Sequence, residues 1–202
     1  MRFVHMGLVL CSWSFGCGGE DGVLGTVDVR VSHGGTEQDS VEALAPSSCM
    51  GSDGQIYSAW YDARTGEDAI WFNRSADGGE SWMTGDIQID RPEGAGGASN
   101  PAIACDGERV FLVWEDRRDG ELDNANIYFN RSDDAGKSWL AEDIALDADD
   151  EGSSMSLGPQ IVVSSSGVYV AWYDARNGAY DIYTNSSTDG GGVWLSAPVR
   201  VD

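Results

Sequence analysis

The 202-residue sequence contains only two histidines, His5 and His33, and only 12 lysines and arginines against 34 aspartates and glutamates. Two histidines are too few for a histidine-rich metal site and argue against a Ser-His-Asp triad. The formal net charge of −22 argues against binding of DNA, RNA or an anionic membrane through charge, because every phosphate would be repelled. Proline is scarce, at 5 residues, and no stretch shows helical periodicity with capping residues.

The composition still predicts a folded domain. Hydrophobic residues make up 41% of the chain and aromatic residues 10%, including eight tryptophans, which is enough apolar material for a core. The 27 glycines suit many tight turns between short strands. The length corresponds to one ordinary domain or slightly more.

The first 16 residues have the pattern of a signal peptide. Arg2 precedes an apolar run of signal-peptide length, too short for a membrane-spanning helix, and a small residue stands before Cys17. Residues 17–26 are expected to form a flexible tether. The segment resembles a bacterial lipoprotein signal, in which Cys17 carries the lipid; ordinary secretion with a free Cys17 is the alternative. We expect an exported protein that meets a membrane only through that lipid.

A repeat organises the rest of the chain. Three octapeptides begin at Ser75, Ser132 and Ser187, giving periods of 57 and 55 residues. Each follows a Trp-x-Asp-x-Arg motif whose tryptophan lies 15, 18 and 15 residues upstream of the serine in the three copies. Periods of this size are typical of four short strands per unit.

The strands of each unit can be read from the hydrophobic pattern. Residues 110–114 and 168–172 are apolar runs typical of strands buried on both faces. The segments 86–90, 143–147 and 198–202 alternate as half-exposed outer strands do. The first strand of each unit is predicted to follow a proline: Pro46, Pro101 and Pro159. We therefore predict an all-β chain of stacked four-stranded sheets.

The octapeptide pattern, Ser-x-Asp-x-Gly-x-Ser/Thr-Trp, resembles the Asp-box, or BNR repeat, of the sialidase-like β-propellers. The third copy departs from it at Val193. The resemblance spans residues 27–202 and implies three four-stranded blades, at about 32–91, 92–147 and 148–202. It also implies that the boxes are structural and lie opposite the ligand face. Their residues are Ser75, Asp77, Gly79, Trp82, Ser132, Asp134, Gly136, Trp139, Ser187, Asp189, Gly191 and Trp194.

Each box residue type has a physical role in a tight turn. The glycines can adopt positive φ, and the aspartates can accept hydrogen bonds from the turn's own backbone amides. The tryptophans are expected to anchor the turn in the core of the blade.

The upstream motif leads into the loop at the other end of the blade, where ligands bind in the family. The candidate ligand-face residues are Asp62, Arg64, Asp116, Arg118, Asp174 and Arg176. An ion pair between each aspartate and arginine would brace the loop, whereas a ring of free arginines would hold an acidic sugar. We favour the bracing role, because a motif repeated in every blade is usually architectural.

The sialidase resemblance implies three arginines, a Tyr-Glu nucleophile pair and an Asp acid/base. Here Arg91-Pro92 is the nearest counterpart of the Arg-Ile-Pro motif, and Tyr61, Tyr173 and Glu115 occupy equivalent repeat positions. They do not define a nucleophile pair. We therefore expect an exported module that binds a glycan or a protein. A glycoside hydrolase of exo-α-sialidase type is the alternative, and a purely structural lipoprotein is the second.

No cofactor or metal site is predicted. Residues 147–152 and 119–126 are oxygen-rich loops that could take Ca²⁺, but neither has EF-hand spacing, so solvated loops are the preferred interpretation.

Cys49 and Cys105 fall at nearly matching places in adjacent repeats. Export permits a disulfide between them. Packed sheets lie ~10 Å apart, however, and a disulfide needs Cα atoms within ~7 Å. A disulfide and two separate buried thiols both remain open at this point.

Propellers typically close with 4 to 8 blades. An additional strand, Val27–Val31, resembles the fourth strands of the blades. The sequence is therefore expected to be part of a longer six-bladed propeller or to pair with a second copy in one ring. The extra strand favours the former.

Overall fold

The computed structural model describes residues 29–33, 41–52, 54–90, 96–118, 124–147 and 154–202. The predicted signal peptide, tether and Cys17, the Arg91-Pro92 dipeptide and most of both oxygen-rich loops lie outside these residues. In the described ranges, no helix is long and apolar enough to cross a membrane. The same ranges contain no group of three or more His, Cys, Asp or Glu that could hold a metal ion.

The chain has an all-β fold of three four-stranded antiparallel sheets, each in the order of the sequence. The first sheet contains β1 (Leu44–Met50), β2 (Ile56–Asp62), β3 (Ala69–Ser75) and β4 (Ile87–Gln88). The second contains β5 (Ala98–Asp106), β6 (Arg109–Asp116), β7 (Asn126–Ser132) and β8 (Ile144–Ala145). The third contains β9 (Ser156–Ser164), β10 (Gly167–Asp174), β11 (Asp181–Ser187) and β12 (Val199–Arg200). We call the three sheets blades 1, 2 and 3.

The repeat of the sequence is also a repeat of register. The second and third strands pair from Ile56↔Ser75 to Asp62↔Ala69 in blade 1, and the equivalent pairs recur in blades 2 and 3. The fourth strands are only two residues long, shorter than the predicted segments. The chain nevertheless stays attached beyond them, because Ile89 donates its backbone N–H to the Ile70 carbonyl at 2.9 Å.

The prolines lie inside the first strands and not before them, which corrects the predicted strand starts. Each strand's register shifts near its proline, and the residue before it has positive φ: 47° at Ala45, 51° at Asn100 and 60° at Gly158. A β-bulge accommodates proline, which lacks a ladder N–H. The sequence pattern could not distinguish a bulge from a strand end.

The hydrophobic core lies between neighbouring blades. One cluster joins blades 1 and 2, and a second joins blades 2 and 3. Trp139 packs edge-on against Phe72 of the preceding blade at 5.1 Å, and Trp194 packs against Phe129 at 4.9 Å. The expected anchor within a blade is thus an anchor between blades. Trp82, in blade 1, is half-buried.

Cys49 and Cys105 form a disulfide between β1 and β5, with their Cα atoms 6.0 Å apart. The ~10 Å spacing of packed sheets does not hold here. The first strands of adjacent blades are in contact with each other, so the sheets converge at these strands. They therefore surround the propeller axis.

Blade 3 has an open face. Tyr169 and Tyr173 on β10 are 37% and 52% exposed. Tyr57 of blade 1, which is the equivalent of Tyr169, is by contrast fully buried by blade 2. At the other side of the described chain, Val31 packs against Trp60 and Trp71 of blade 1.

Candidate functional site

The octapeptide turns join the third and fourth strands at one end of each blade. In blade 1, Gly79 donates its N–H to Ser75 Oγ at 2.8 Å, and Ser81 donates its N–H to Asp77 at 2.8 Å. Hydrogen bonds from Ser81 lower the pKa of Asp77 to about 2. Blades 2 and 3 repeat these bonds around Asp134 and Asp189. The carboxylates of the turns are therefore engaged in holding the backbone.

The turn glycines allow blades to approach closely. A Cβ placed on Gly136 would lie 2.4 Å from the Phe72 ring, and one on Gly191 would lie 2.6 Å from Phe129. Both glycines also have positive φ, 76° and 87°. Gly79 also has positive φ, 96°, but a Cβ placed on it would meet only the Ile56 side chain, at 3.5 Å.

The Trp-x-Asp-x-Arg motifs form a compact unit at the opposite end of each blade. In blade 1, Asp62 accepts hydrogen bonds from Trp60 Nε1 at 3.0 Å and from Arg64 Nε at 2.8 Å. Asp174 has the equivalent bonds in blade 3, and Asp116 in blade 2 accepts from Trp114 Nε1 at 2.8 Å but pairs with Arg118 through Nη2 in place of Nε. Burial alone would raise the pKa of Asp62, but these hydrogen bonds outweigh it and lower the pKa.

Each arginine of the motif also reaches a second acceptor from elsewhere in the chain. Arg64 pairs with Asp86, Arg118 pairs with Asp143 at 2.9 Å, and Arg176 donates to the Asp147 carbonyl at 2.9 Å. These distant partners were not predicted. The guanidinium groups in addition stack on the rings of Trp71, Tyr128 and Tyr183 at 4.0, 4.4 and 4.4 Å.

Burial alone would lower the pKa of Arg118. Hydrogen bonding to Asp116 and the charge of Asp143 instead raise the pKa above its ordinary value. Arg118 therefore stays charged between the carboxylates of Asp116 and Asp143, and it connects the loop after β6 to the start of the fourth strand.

Blade 2 departs from the repeat at the same end. Glu115 replaces the tyrosine found at Tyr61 and Tyr173, Arg117 replaces an alanine, and Asn100 precedes the bulge proline. The Glu115 side chain is buried, and it accepts hydrogen bonds from Asn100 Nδ2 at 2.9 Å and from the Gly158 N–H at 2.8 Å. Glu115 therefore ties blade 2 to the bulge of blade 3.

Two of these departures, Asn100 and Arg117, line a cleft between blades 1 and 2, which we call the axial cleft. It has a volume of about 540 Å³. Its lining residues are Tyr61, Glu67, Asp68, Gly96, Gly97, Ser99, Asn100 and Arg117. Arg117 donates to Ser99 Oγ at 3.0 Å and lies 3.5 Å from Glu115.

Two glycines shape the wall of the axial cleft. A Cβ on Gly96 would lie 2.6 Å from the Arg117 carbonyl oxygen. Gly97 has φ of 52°, and a Cβ placed on it would lie 3.3 Å from Asp68. Asn100 lines both the axial cleft and an open space of about 330 Å³ that is lined by the three proline bulges. The cleft therefore opens towards the axis.

The structure separates the residues that sequence reasoning grouped together. Tyr61 lines the axial cleft, Tyr173 lines the open face of blade 3, and Glu115 lies beneath Asn100. The candidate arginines line none of the cleft. Ser99, Asn100 and Arg117 were missed, although their departure from the repeat was a signal that could have identified them.

Solved structures with a similar fold include several glycoside hydrolases. The chain superposes on a family 117 glycoside hydrolase of the marine bacterium Zobellia galactanivorans with a TM-score of 0.60, 16% identity, and coverage of 86% of this chain and 60% of that one. A family 93 α-L-arabinofuranosidase of Fusarium graminearum, in complex with arabinobiose, gives a TM-score of 0.60 and 15% identity over 78% of this chain and 48% of that one. A Hadza microbial sialidase gives a TM-score of 0.51 and 15% identity, with coverage of 78% of this chain and 34% of that one.

These similarities show the fold, a β-propeller of the kind found in sialidases and related glycoside hydrolases. The chain spans about a third to three fifths of the length of these three proteins. No protein-family model matches the sequence, and no curated protein matches it.

Proposed function

We propose that this chain is an exported propeller module that binds the end of a glycan in the axial cleft. The observation that carries the proposal is the location of the cleft: it forms where the repeat is broken, at the axial end of the blades. Its one aromatic ring, Tyr61, and the polar groups of Ser99, Asn100 and Arg117 are the kinds of side chain that contact sugars. A concave space of about 540 Å³ suits a small saccharide better than a protein surface.

The fold neighbours support a carbohydrate ligand. One of them was solved with arabinobiose, a neutral disaccharide. Fold similarity alone does not transfer an activity, so the argument depends on the cleft.

Binding can be tested by calorimetry of residues 17–202, carrying Cys17→Ser, against arabino- and galacto-oligosaccharides. Tyr61→Ala should weaken binding at least about tenfold, equivalent to about 1.4 kcal/mol. Tyr173→Ala is the matched control, because it removes the same ring at the equivalent position outside the cleft. Equal affinities of the two variants, with unchanged melting temperatures, would contradict this location of the site.

The hydrolase alternative places Glu67 and Asp68 as the carboxyl groups of the cleft. Most glycosidases use two carboxyl groups at a set separation across the scissile bond, whereas sialidases use a tyrosine as the nucleophile. Release of reducing sugar from the bound oligosaccharide, lost in Glu67→Gln, would favour the enzyme. Binding without turnover favours the binding module.

The disulfide supports export, because disulfides persist in oxidising compartments. Attachment through Cys17 remains our proposal for the cell envelope. Metabolic labelling with a radioactive fatty acid should mark the full chain but not Cys17→Ser. Unlabelled, released protein in both cases would indicate ordinary secretion.

Where no further blade of a longer chain covers it, a second copy is our proposed occupant of the open face of blade 3. The equivalent face of blade 1, including Tyr57 and Ala59, is buried by the next blade, so this surface continues an interface of the same kind. Light scattering should give twice the mass of one chain, and Tyr169→Glu should reduce the measured mass to that of a single chain. A monomeric parent would refute the pairing.

A further inference from the structure

We propose that the axial cleft takes an uncharged sugar and excludes sialic acids and other anionic sugars. The inference rests on the proposed glycan-binding function and specifies its ligand class. It follows from the charges around the cleft and from the partners of the arginines near it.

The three motif arginines are mostly buried, and each is already paired with protein oxygens. Their side chains are 14%, 13% and 21% exposed for Arg64, Arg118 and Arg176. Each is bonded to the aspartate of its own motif and to a second oxygen from another segment, and each lays one face on an aromatic ring. A carboxylate ligand would have to displace a buried protein carboxylate, which would leave that charge unpaired.

The cleft itself is negatively charged. Among the described residues that line it, Arg117 is the one cation, and it lies 3.5 Å from the Glu115 carboxylate. Glu67 and Asp68 add two further carboxylates at the rim. One guanidinium against three carboxylates repels an incoming anion, and the net charge of −22 over the whole chain adds to this repulsion.

A neutral sugar meets no such penalty. Tyr61 offers an aromatic ring, and hydroxyl groups can donate to the carboxylates of Glu67 and Asp68, which accept hydrogen bonds without needing a charged partner. Carboxylates that accept from sugar hydroxyls make stronger hydrogen bonds than neutral acceptors do. The same residues that repel an anion therefore favour a polyhydroxylated neutral ligand.

The test is calorimetry of residues 17–202, carrying Cys17→Ser, with arabinobiose, lactose, 3′-sialyllactose and digalacturonate as probes. We expect binding of at least one neutral probe, with less than a twofold change in affinity between 50 and 500 mM NaCl, because no ligand charge is screened. The two anionic probes should bind at least about a hundredfold more weakly. In Glu67→Gln combined with Asp68→Asn, that difference should shrink, because the repelling charges are removed.

The outcomes separate the two proposals. Tight, salt-sensitive binding of sialyllactose or digalacturonate would overturn the charge argument and leave glycan binding intact. Failure of every probe would overturn glycan binding in the cleft and, with it, the choice of ligand class. Unchanged selectivity in the double variant would refute the role assigned to Glu67 and Asp68.

Discussion

Asp90 is a buried carboxylate at the end of blade 1, and its replacement by asparagine gives a quantitative test of the structure. The side chain is 8% exposed, and it accepts a hydrogen bond from the Ile70 N–H at 2.8 Å. Burial, with a smaller contribution from the charge of Asp116, raises the pKa of Asp90 to about 6. Asp90→Asn keeps the acceptor oxygen and removes the charge.

The sign of the effect follows from the raised pKa. The folded protein binds this proton more tightly than the unfolded chain, so the group's stabilising contribution is complete below its ordinary pKa of 3.8 and is lost as the pH rises through 6. That interval, at about 1.4 kcal/mol per pH unit, limits the cost of the ionised form to about 3 kcal/mol. Asp90→Asn should therefore stabilise the protein by about 1–3 kcal/mol at pH 8 and by almost nothing at pH 4.

The measurement is urea unfolding of wild type and variant at pH 4, 5, 6, 7 and 8, followed by tryptophan fluorescence. Asp202→Asn is the matched control, because Asp202 makes the same hydrogen bond to Ile182 at 3.0 Å in an exposed setting. That hydrogen bond lowers the pKa of Asp202, so its replacement should give no gain at pH 8. A gain for Asp90→Asn that is independent of pH, or a loss at pH 8, would refute the reasoning.

Two further predictions concern packing between the blades. Replacement of Cys49 and Cys105 by alanine should lower the free energy of unfolding by about 2–4 kcal/mol, because the disulfide closes a loop with a sequence separation of 56. If reduced and oxidised wild type unfold at the same urea concentration, the disulfide contributes nothing to stability. Gly136→Ala should cost more than Gly79→Ala. Both changes strain a residue with positive φ, by about 1–2 kcal/mol, but at position 136 the added methyl group also overlaps the ring of Phe72, for about 1–3 kcal/mol more. Equal melting temperatures for the two variants would show that the blades do not approach as closely as described.

The sequence predicted the local structure of each blade well. Apolar runs such as residues 110–114 became β6, and the octapeptides became turns at one end of every blade. Both depend on interactions between residues close in sequence. The prolines misled the prediction of strand starts, because a bulge leaves no distinct pattern in a single sequence.

The axial cleft could not have been predicted in this way. Tyr61 and Asn100 are far apart in the sequence and belong to different blades, and they line one cleft because the sheets converge towards the axis. The departures of blade 2 from the repeat, at Glu115 and Arg117, were visible in the sequence. Their neighbours were not.

The sequence by itself determined the all-β class and the four strands of each unit, and it favoured the pairing of each motif aspartate with the arginine two residues later over a ring of free arginines. These features arise from periodicity and from contacts within a few residues. Only the tertiary structure decided that Cys49 bonds to Cys105, that Asp86 and Asp143 complete the arginine ion pairs, and that a cleft opens between blades 1 and 2. The physical reason is that the angle and distance between sheets depend on how side chains from separate repeats pack together, and the spacing of residues along the chain does not specify that packing.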